Sequence, residues 1–333
     1  MTAPTVLILG AAGRLGSAAV IAFAAAGWRV LAQQRKATSL PEGVDQVSTP
    51  LHDTAALAAQ AVGAQVVVYA VNPPYDRWDQ ELLPLARQGM DVAEALGATL
   101  LLPGNVYNFG PDMPARLDVD TPQPGGTPKG RQRCAMEAEL RERTSRGRMK
   151  ATVIRAGDFY GHGVGSWLDQ AMAKDIARGK LVYPGPLDLP HAWAYLPDLA
   201  RAFVAVAERC RHGAAPVFET LMFEGHTLTG HELLAHLQQA AADLGHRPAS
   251  GWRIAGLPWG VIRLIGLFRP VMRELARMSY LWRVPHAIDG RSLVDAVGPL
   301  AGTAVGPAVR AAVVGLGLVG PAEGARIENP QVS

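Results

Sequence analysis

The chain has 333 residues, of which 49% are hydrophobic and 18% charged, with a formal net charge of +3 at pH 7. That size and balance fit one large or two unequal folded domains and argue against disorder over most of the length. The small charge, with no basic stretch interleaved with aromatics, argues against nucleic acid, and only two cysteines, Cys134 and Cys210, exclude a disulfide scaffold.

Residues 5–16, TVLILGAAGRLG, join a short apolar run to glycines at 10, 13 and 16. Val6 to Leu9 read as a strand buried on both faces, and Leu15 to Ala26 as a small-residue helix. Gly10 allows the sharp exit, Gly13 a close backbone approach to a pyrophosphate, and Gly16 close packing of the helix. The loop Gly10, Ala12, Gly13, Arg14, Leu15 and Gly16 is therefore a candidate dinucleotide cradle at a helix N-terminus. Although apolar, this start has no basic n-region and carries Arg14 within the loop, so it reads as structure rather than a signal peptide.

Trp28 to Gln33 is a second strand, Asp53 to Ala61 a helix with Asp53 as N-cap, and Gln65 to Val71 a third buried run. Asp79 to Leu96 is helical, Thr99 to Leu102 a strand, Lys129 to Arg146 a long polar-faced helix, and Ala151 to Arg155 another strand. This alternation predicts an α/β fold: a doubly wound parallel sheet of Rossmann type, its ligand outside the carboxyl ends of the strands. Pro111 to Pro128, rich in Pro, Asp and Gly, is a candidate active-site flap. Residues 1–160 are read as the nucleotide domain, with a return strand near 190–225, including Val217 to Phe223. Residues 161–300 are read mostly as a smaller substrate lobe, and 301–333 are unassigned.

With the glycine loop, the strand–helix order and Arg155 to Gly161 (RAGDFYG) in view, the chain resembles the extended, atypical short-chain dehydrogenase/reductases of the NAD-dependent epimerase/dehydratase family. The resemblance covers about residues 4–295 and is supported by Val68 to Asn72, Val106-Tyr107 and Tyr195 to Asp198. It implies cofactor contacts at Ala70, Val71, Asn72 and Gly104. It also implies a Tyr-x-x-x-Lys helix for proton transfer, and here the chain departs: Lys129 falls where Tyr is expected, Arg133 where Lys is expected, and Pro103-Gly104-Asn105 on the Ser/Thr region. Arg133 can still hold ribose hydroxyls, and Lys129, its pKa lowered by a neighbouring cation and burial, is a candidate proton donor. Tyr107 and Tyr160 are candidate phenol donors. Asp198 reads as a helix N-cap.

Enzymes that select NAD place an acid at the end of the second strand, whereas here Gln33-Gln34-Arg35-Lys36 stand there. Arg35 and Lys36, with Arg14 adding field, predict a 2′-phosphate and hence NADP. His226, His231 and His236 do not share a helix face, and no metal is expected. Ser166 reads as an N-cap rather than a nucleophile. Trp252 to Arg283 mixes apolar residues with arginines, and a membrane-surface helix is conceivable. Pro258 and Pro270 interrupt it, and packing of Trp259, Ile262, Leu264, Ile265 and Phe268 against the nucleotide domain is preferred. Arg263, Arg269 and Arg310 break any span of about 20 residues.

The sequence thus predicts a soluble, cytoplasmic NADP(H)-dependent oxidoreductase reducing a small or medium carbonyl, enone or imine, with a homodimer as a possible assembly. A silent NADP(H) sensor and a sugar-nucleotide epimerase or dehydratase are the alternatives.

Overall fold

The computed structural model describes residues 3–34 and 40–319. β1 (Thr5–Leu9) is buried at all five positions and feeds α1 (Arg14–Ala25). β2 (Arg29–Gln33), β3 (Val44–Val47) and α2 (Thr54–Gln60) follow, with Asp53 capping α2 by accepting from the Ala56 N–H as expected. β3 escaped the sequence reading because it is only four residues long at the sheet's edge, with exposed Asp45 and Gln46 between its two valines. Next come β4 (Val66–Tyr69), α3 (Trp78–Leu96), β5 (Thr99–Gly104), a two-residue β6 (Arg116–Leu117), α4 (Pro128–Ser145), β7 (Lys150–Arg155) and β8 (Asp158–Tyr160). β9 (Lys180–Tyr183), β10 (His191–Tyr195), α5 (Leu196–Arg211), β11 (Phe218–Met222), β12 (His226–Leu228) and α6 (Gly230–Asp243) precede β13 (Arg253–Gly256). The chain continues through α7 (Trp259–Gly266), α8 (Pro270–Arg277), β14 (Ala287–Ile288), α9 (Arg291–Val297) and α10 (Val305–Gly315).

Seven strands form one parallel sheet in the order β11-β7-β5-β4-β1-β2-β3. Strand alternation splits its side chains between two cores: Leu7, Leu9, Val67 and Leu100 face α2, α3 and α4, while Val6, Ile8, Val66 and Leu101 face α1 and α5. The order reverses at β1 and β4, so a crevice opens outside their carboxyl ends, where the glycine loop lies. A third core, built on Tyr160, Tyr183, Trp193, Leu237, Trp282 and Val309, belongs to the smaller lobe. α10 completes it by burying Ala308, Val309, Ala312 and Val313 against α6, within the segment that the sequence left unassigned.

Three expectations are corrected. The Pro111 to Pro128 segment is pinned rather than free to flap: Met113 and Leu117 are buried, β6 pairs with β14, and the Gly125 N–H donates to the Asn108 carbonyl. Asp198 does not cap α5; Tyr195 stands at the cap, and Asp198 instead accepts from the backbone and hydroxyl of Thr303. In the α7–α8 hairpin Ile262 is buried, but Leu264, Ile265 and Phe268 face outward, because these helices pack mainly on each other.

Candidate active site

The glycine loop is shaped by close approaches of backbone to backbone. Gly10 has φ +76°, and a Cβ there would lie 3.1 Å from the Ala70 carbonyl carbon and oxygen and from the Val71 side chain. Gly16 packs on the loop itself, since its Cβ would stand 2.2 Å from the Gly10 oxygen. Gly13 caps α1 without a side-chain hydrogen bond, and the first turn carries no acidic residue. The helix N-terminus therefore keeps unpartnered N–H groups and its positive dipole end for an anion, which fits a dinucleotide pyrophosphate.

Around this cradle the proposed contacts sort by position. Ala12 and Gly13 are exposed on the loop, Leu15 is buried beneath it, and Asn72 is exposed just beyond β4 with Ala70 and Val71 beside Gly10. Gly104 is a packing glycine: a Cβ would lie 2.9 Å from a Val153 methyl and 3.1 Å from the Arg155 Cα. Arg14 Nη1 donates to the Phe159 carbonyl (3.1 Å), tying the cradle to β8. Gln33, at the end of β2, accepts from the Gly10 N–H (3.2 Å) and donates to the Thr49 carbonyl (3.0 Å). Arg35 and Lys36 lie outside the described residues.

Beyond the cradle, phenols and cations meet. The Val106–Phe109 turn after β5, capped by Asn105, carries Tyr107, whose hydroxyl hydrogen-bonds that of Tyr75. Tyr75 follows β4 and stacks on Trp78 at 5.4 Å. Burial holds the Tyr107 phenol well above its ordinary pKa, and the neighbouring Tyr75 and the negative charge of Asp158 push the same way. Such a phenol keeps its proton at neutral pH and can donate it to a nascent alkoxide. Arg133 sits 5.4 Å from the Trp78 ring and reaches the Pro103 carbonyl with Nη1 (3.4 Å), while its buried Nε has no partner. A further donor is thus left for a ligand.

Lys129 and Tyr160 are each engaged by partners within the protein. Lys129 Nζ donates to the Tyr75 carbonyl (2.6 Å), pairs with Glu274 (3.4 Å) and lies over the Tyr75 and Trp78 rings at 4.9 and 4.7 Å. Desolvation lowers its pKa, opposed by Glu274, and its contacts tie α4 to α8 and to the turn at Tyr75. Tyr160 is 2% exposed in the lobe core, with its hydroxyl 2.7 Å from His226 Nδ1. Both arrangements arise from partners that a local motif cannot specify.

The structure adds groups to which sequence reasoning gave no role. Asp158 accepts from His191 Nε2 (3.0 Å), and its charge reaches Tyr75, Tyr107 and Tyr280. His191 stacks on Trp282 at 4.4 Å and meets the His286 ring edge-on at 4.5 Å. Burial, with His191 adding to it, pushes the His286 pKa down to about 3. Beneath α4, fully buried Arg155 pairs with Glu137 (2.7 Å), and Glu137 also accepts from Asn108 (3.0 Å), fixing the turn that presents Tyr107. Two hollows lie elsewhere, one of about 480 Å³ between α6 and α10 and one of about 200 Å³ beside Phe223 and Gly290, and neither contains Tyr75, Tyr107 or Asp158. Among the described residues no three metal-ligating side chains converge, and no helix is long and apolar enough to cross a membrane.

A seven-stranded parallel sheet with a glycine cradle at its switch point defines a Rossmann-type protein of the short-chain dehydrogenase/reductase class. The chain belongs to the NAD-dependent epimerase/dehydratase family, which it matches over residues 6–219. Among solved structures it is similar to the Bordetella bronchiseptica enzyme WbmH in complex with NAD+, at 19% identity and TM-score 0.69, covering 94% of this chain and 98% of that one. It is also similar to UDP-glucose-4-epimerase from Stenotrophomonas maltophila, with bound NAD and formylated UDP-arabinopyranose (14%, 0.71, 95% and 98%). A third is UDP-N-acetylglucosamine 4-epimerase from Bacillus cereus (11%, 0.71, 94% and 99%). No match was found among curated proteins.

Proposed function

We propose that this chain is a nicotinamide-dinucleotide-dependent enzyme acting at a carbonyl or secondary carbinol carbon, with Tyr107 as its proton donor. The observation that carries this reading is the buried Tyr107 phenol at the end of β5, bonded to Tyr75 within the field of Asp158. The cofactor, when bound, supplies or takes the hydride. Gly10, Gly13 and the start of α1 hold the pyrophosphate, Arg133 offers its free Nε–H to the nicotinamide ribose, and the Lys129 clamp fixes the Tyr75 turn. Net reduction suits a phenol whose pKa is raised, because it stays protonated at neutral pH and can still protonate the more basic alkoxide, whereas the phenolate needed to take a proton from a carbinol is scarcely populated. Gln33 in place of an acid supports NADPH, with Arg35 and Lys36 following it in sequence.

Epimerase or dehydratase chemistry on a UDP-sugar is the second reading, and the family membership and the ligands named for the similar structures favour it over net reduction. In that case the tyrosine must also take a proton back, which the positive charge of a bound oxidised nicotinamide would ease. One experiment separates them. The protein is titrated with NADH and NADPH, then incubated with UDP-glucose and UDP-galactose in the presence of NAD+ or NADP+, and with a panel of ketones, enones and imines in the presence of NADH or NADPH. Net reduction consumes reduced nicotinamide; epimerisation yields a sugar isomer with none consumed. Tyr107→Phe is expected to cut turnover by about 10²–10⁴ with nucleotide affinity nearly intact. Unchanged turnover refutes the role of Tyr107, and nucleotide binding without turnover on any substrate favours a sensor.

A further inference from the structure

The α7–α8 hairpin presents an apolar surface that no element among the described residues covers. Val261, Leu264, Ile265, Leu267, Phe268 and Val271 are all exposed, Phe268 at 82%, Leu267 at 70% and Leu264 at 62%. A contiguous apolar patch is unusual on a protein surface, unlike isolated exposed residues. The hairpin is built, not frayed. Gly266 brings its arms together, since a Cβ there would stand 3.0 Å from the Arg273 backbone. Its root is fixed by buried Ile262, by the Trp259 Nε1–H donated to the Pro184 carbonyl (2.6 Å), and by the Glu274–Lys129 pair.

The charges around the patch identify its partner. From Leu244 to Arg273 the chain has no acidic residue but carries Arg247, Arg253, Arg263, Arg269 and Arg273, of which the last three stand exposed on the hairpin itself. An apolar hairpin that also carries these three exposed arginines, its one acid Glu274 being buried, suits the boundary between acyl chains and anionic headgroups, where the apolar face sinks in by about 5–10 Å and guanidinium groups meet phosphates. A second copy of this chain docked on the same face would bring these arginines toward their own copies, like charge on like charge. The helices, eight residues each, are far too short to span a bilayer.

We infer that the α7–α8 hairpin docks this protein on an anionic lipid surface, with Leu264, Leu267 and Phe268 inserted and Arg263, Arg269 and Arg273 at headgroup level. This inference does not depend on the reaction proposed above. The test uses full-length protein sedimented with vesicles of phosphatidylcholine mixed with phosphatidylglycerol, and with phosphatidylcholine alone. Wild type is expected to bind the anionic vesicles and scarcely the neutral ones. The double variant Leu264→Ser/Phe268→Ser should lose affinity by at least about tenfold, and Arg263→Gln/Arg269→Gln by at least about fivefold. All four side chains are exposed, so both variants should keep the wild-type circular dichroism and nucleotide affinity. No binding to anionic vesicles, or binding that survives the Leu264/Phe268 change, overturns the inference. So does a wild-type dimer, seen by light scattering, that the same variant dissociates, since the patch would then join two copies of the chain.

Discussion

Placing a single methyl at Gly16 and at Gly13 should separate the two jobs of the cradle. At position 16 the new carbon would stand 2.2 Å from the Gly10 oxygen and 2.9 Å from the Ala11 Cα and the Gly10 carbonyl carbon, all backbone atoms that cannot swing aside. Relief requires the loop to move by about 1 Å, an overpacking cost of about 1–3 kcal/mol. The gain from replacing a helical glycine is about 1 kcal/mol, so Gly16→Ala should lose up to about 2 kcal/mol and distort the phosphate site. At Gly13 the nearest atom is the Gly10 oxygen at 3.3 Å, a contact eased by a shift of a few tenths of an ångström. There the lost N-cap preference and the stiffened unfolded chain nearly cancel, leaving Gly13→Ala within about 0.5 kcal/mol of wild type. Gly13→Val should fold yet fail to bind, its branches occupying the pyrophosphate approach. Urea unfolding reads stability, and titration with NADH and NADPH reads binding. A Gly16→Ala protein that binds as wild type, or a Gly13→Val protein that does so, refutes the cradle.

Lys129→Met tests the clamp: losing the charged hydrogen bond should cost about 1.5–3 kcal/mol in urea unfolding, toward the lower end because Arg277 still pairs with Glu274 at 2.6 Å. Unchanged stability with turnover cut by about 10²–10⁴ would instead make Lys129 the proton donor. His286, pushed down to about 3, stays neutral when folded, whereas an unfolded imidazole takes a proton below about 6.5. The unfolded state therefore binds more protons between these values. The His286 contribution is complete above pH 6.5 and falls by about 2 kcal/mol between pH 7 and 5. His286→Gln should flatten that slope by this amount, and parallel wild-type and variant curves would show that the imidazole is not the cause. Glu137→Ala leaves Arg155 charged and fully buried, an expected loss of about 3–5 kcal/mol by urea unfolding. A loss under about 1 kcal/mol would mean that water or Gln123 compensates.

The nucleotide half was readable from local pattern because its signals lie within a few residues of one another. An apolar run, three spaced glycines and an Asp cap are short-range instructions, and β1, α1, α2, α3, β5, α4 and β7 lie where periodicity and caps place them. The pattern failed where burial and polarity part company. β3 is a four-residue edge strand with exposed Asp45 and Gln46 between its two valines, and Leu264, Leu267 and Phe268 of the α7–α8 hairpin look like core although no element among the described residues covers them.

The candidate chemistry divides along the same line. Residue type alone showed that the tyrosine of the usual proton relay is missing, and the glycine spacing alone marked a dinucleotide cradle. The surroundings of each candidate donor depended on contacts between distant segments. Lys129 is held by the Tyr75 carbonyl 54 residues away, Tyr160 by His226 66 residues away, and Tyr107 by Tyr75 across 32 residues. A side chain's chemistry follows from its type, but its protonation and its aim follow from what packs against it. Those neighbours come from elements that only the folded sheet and lobe bring together.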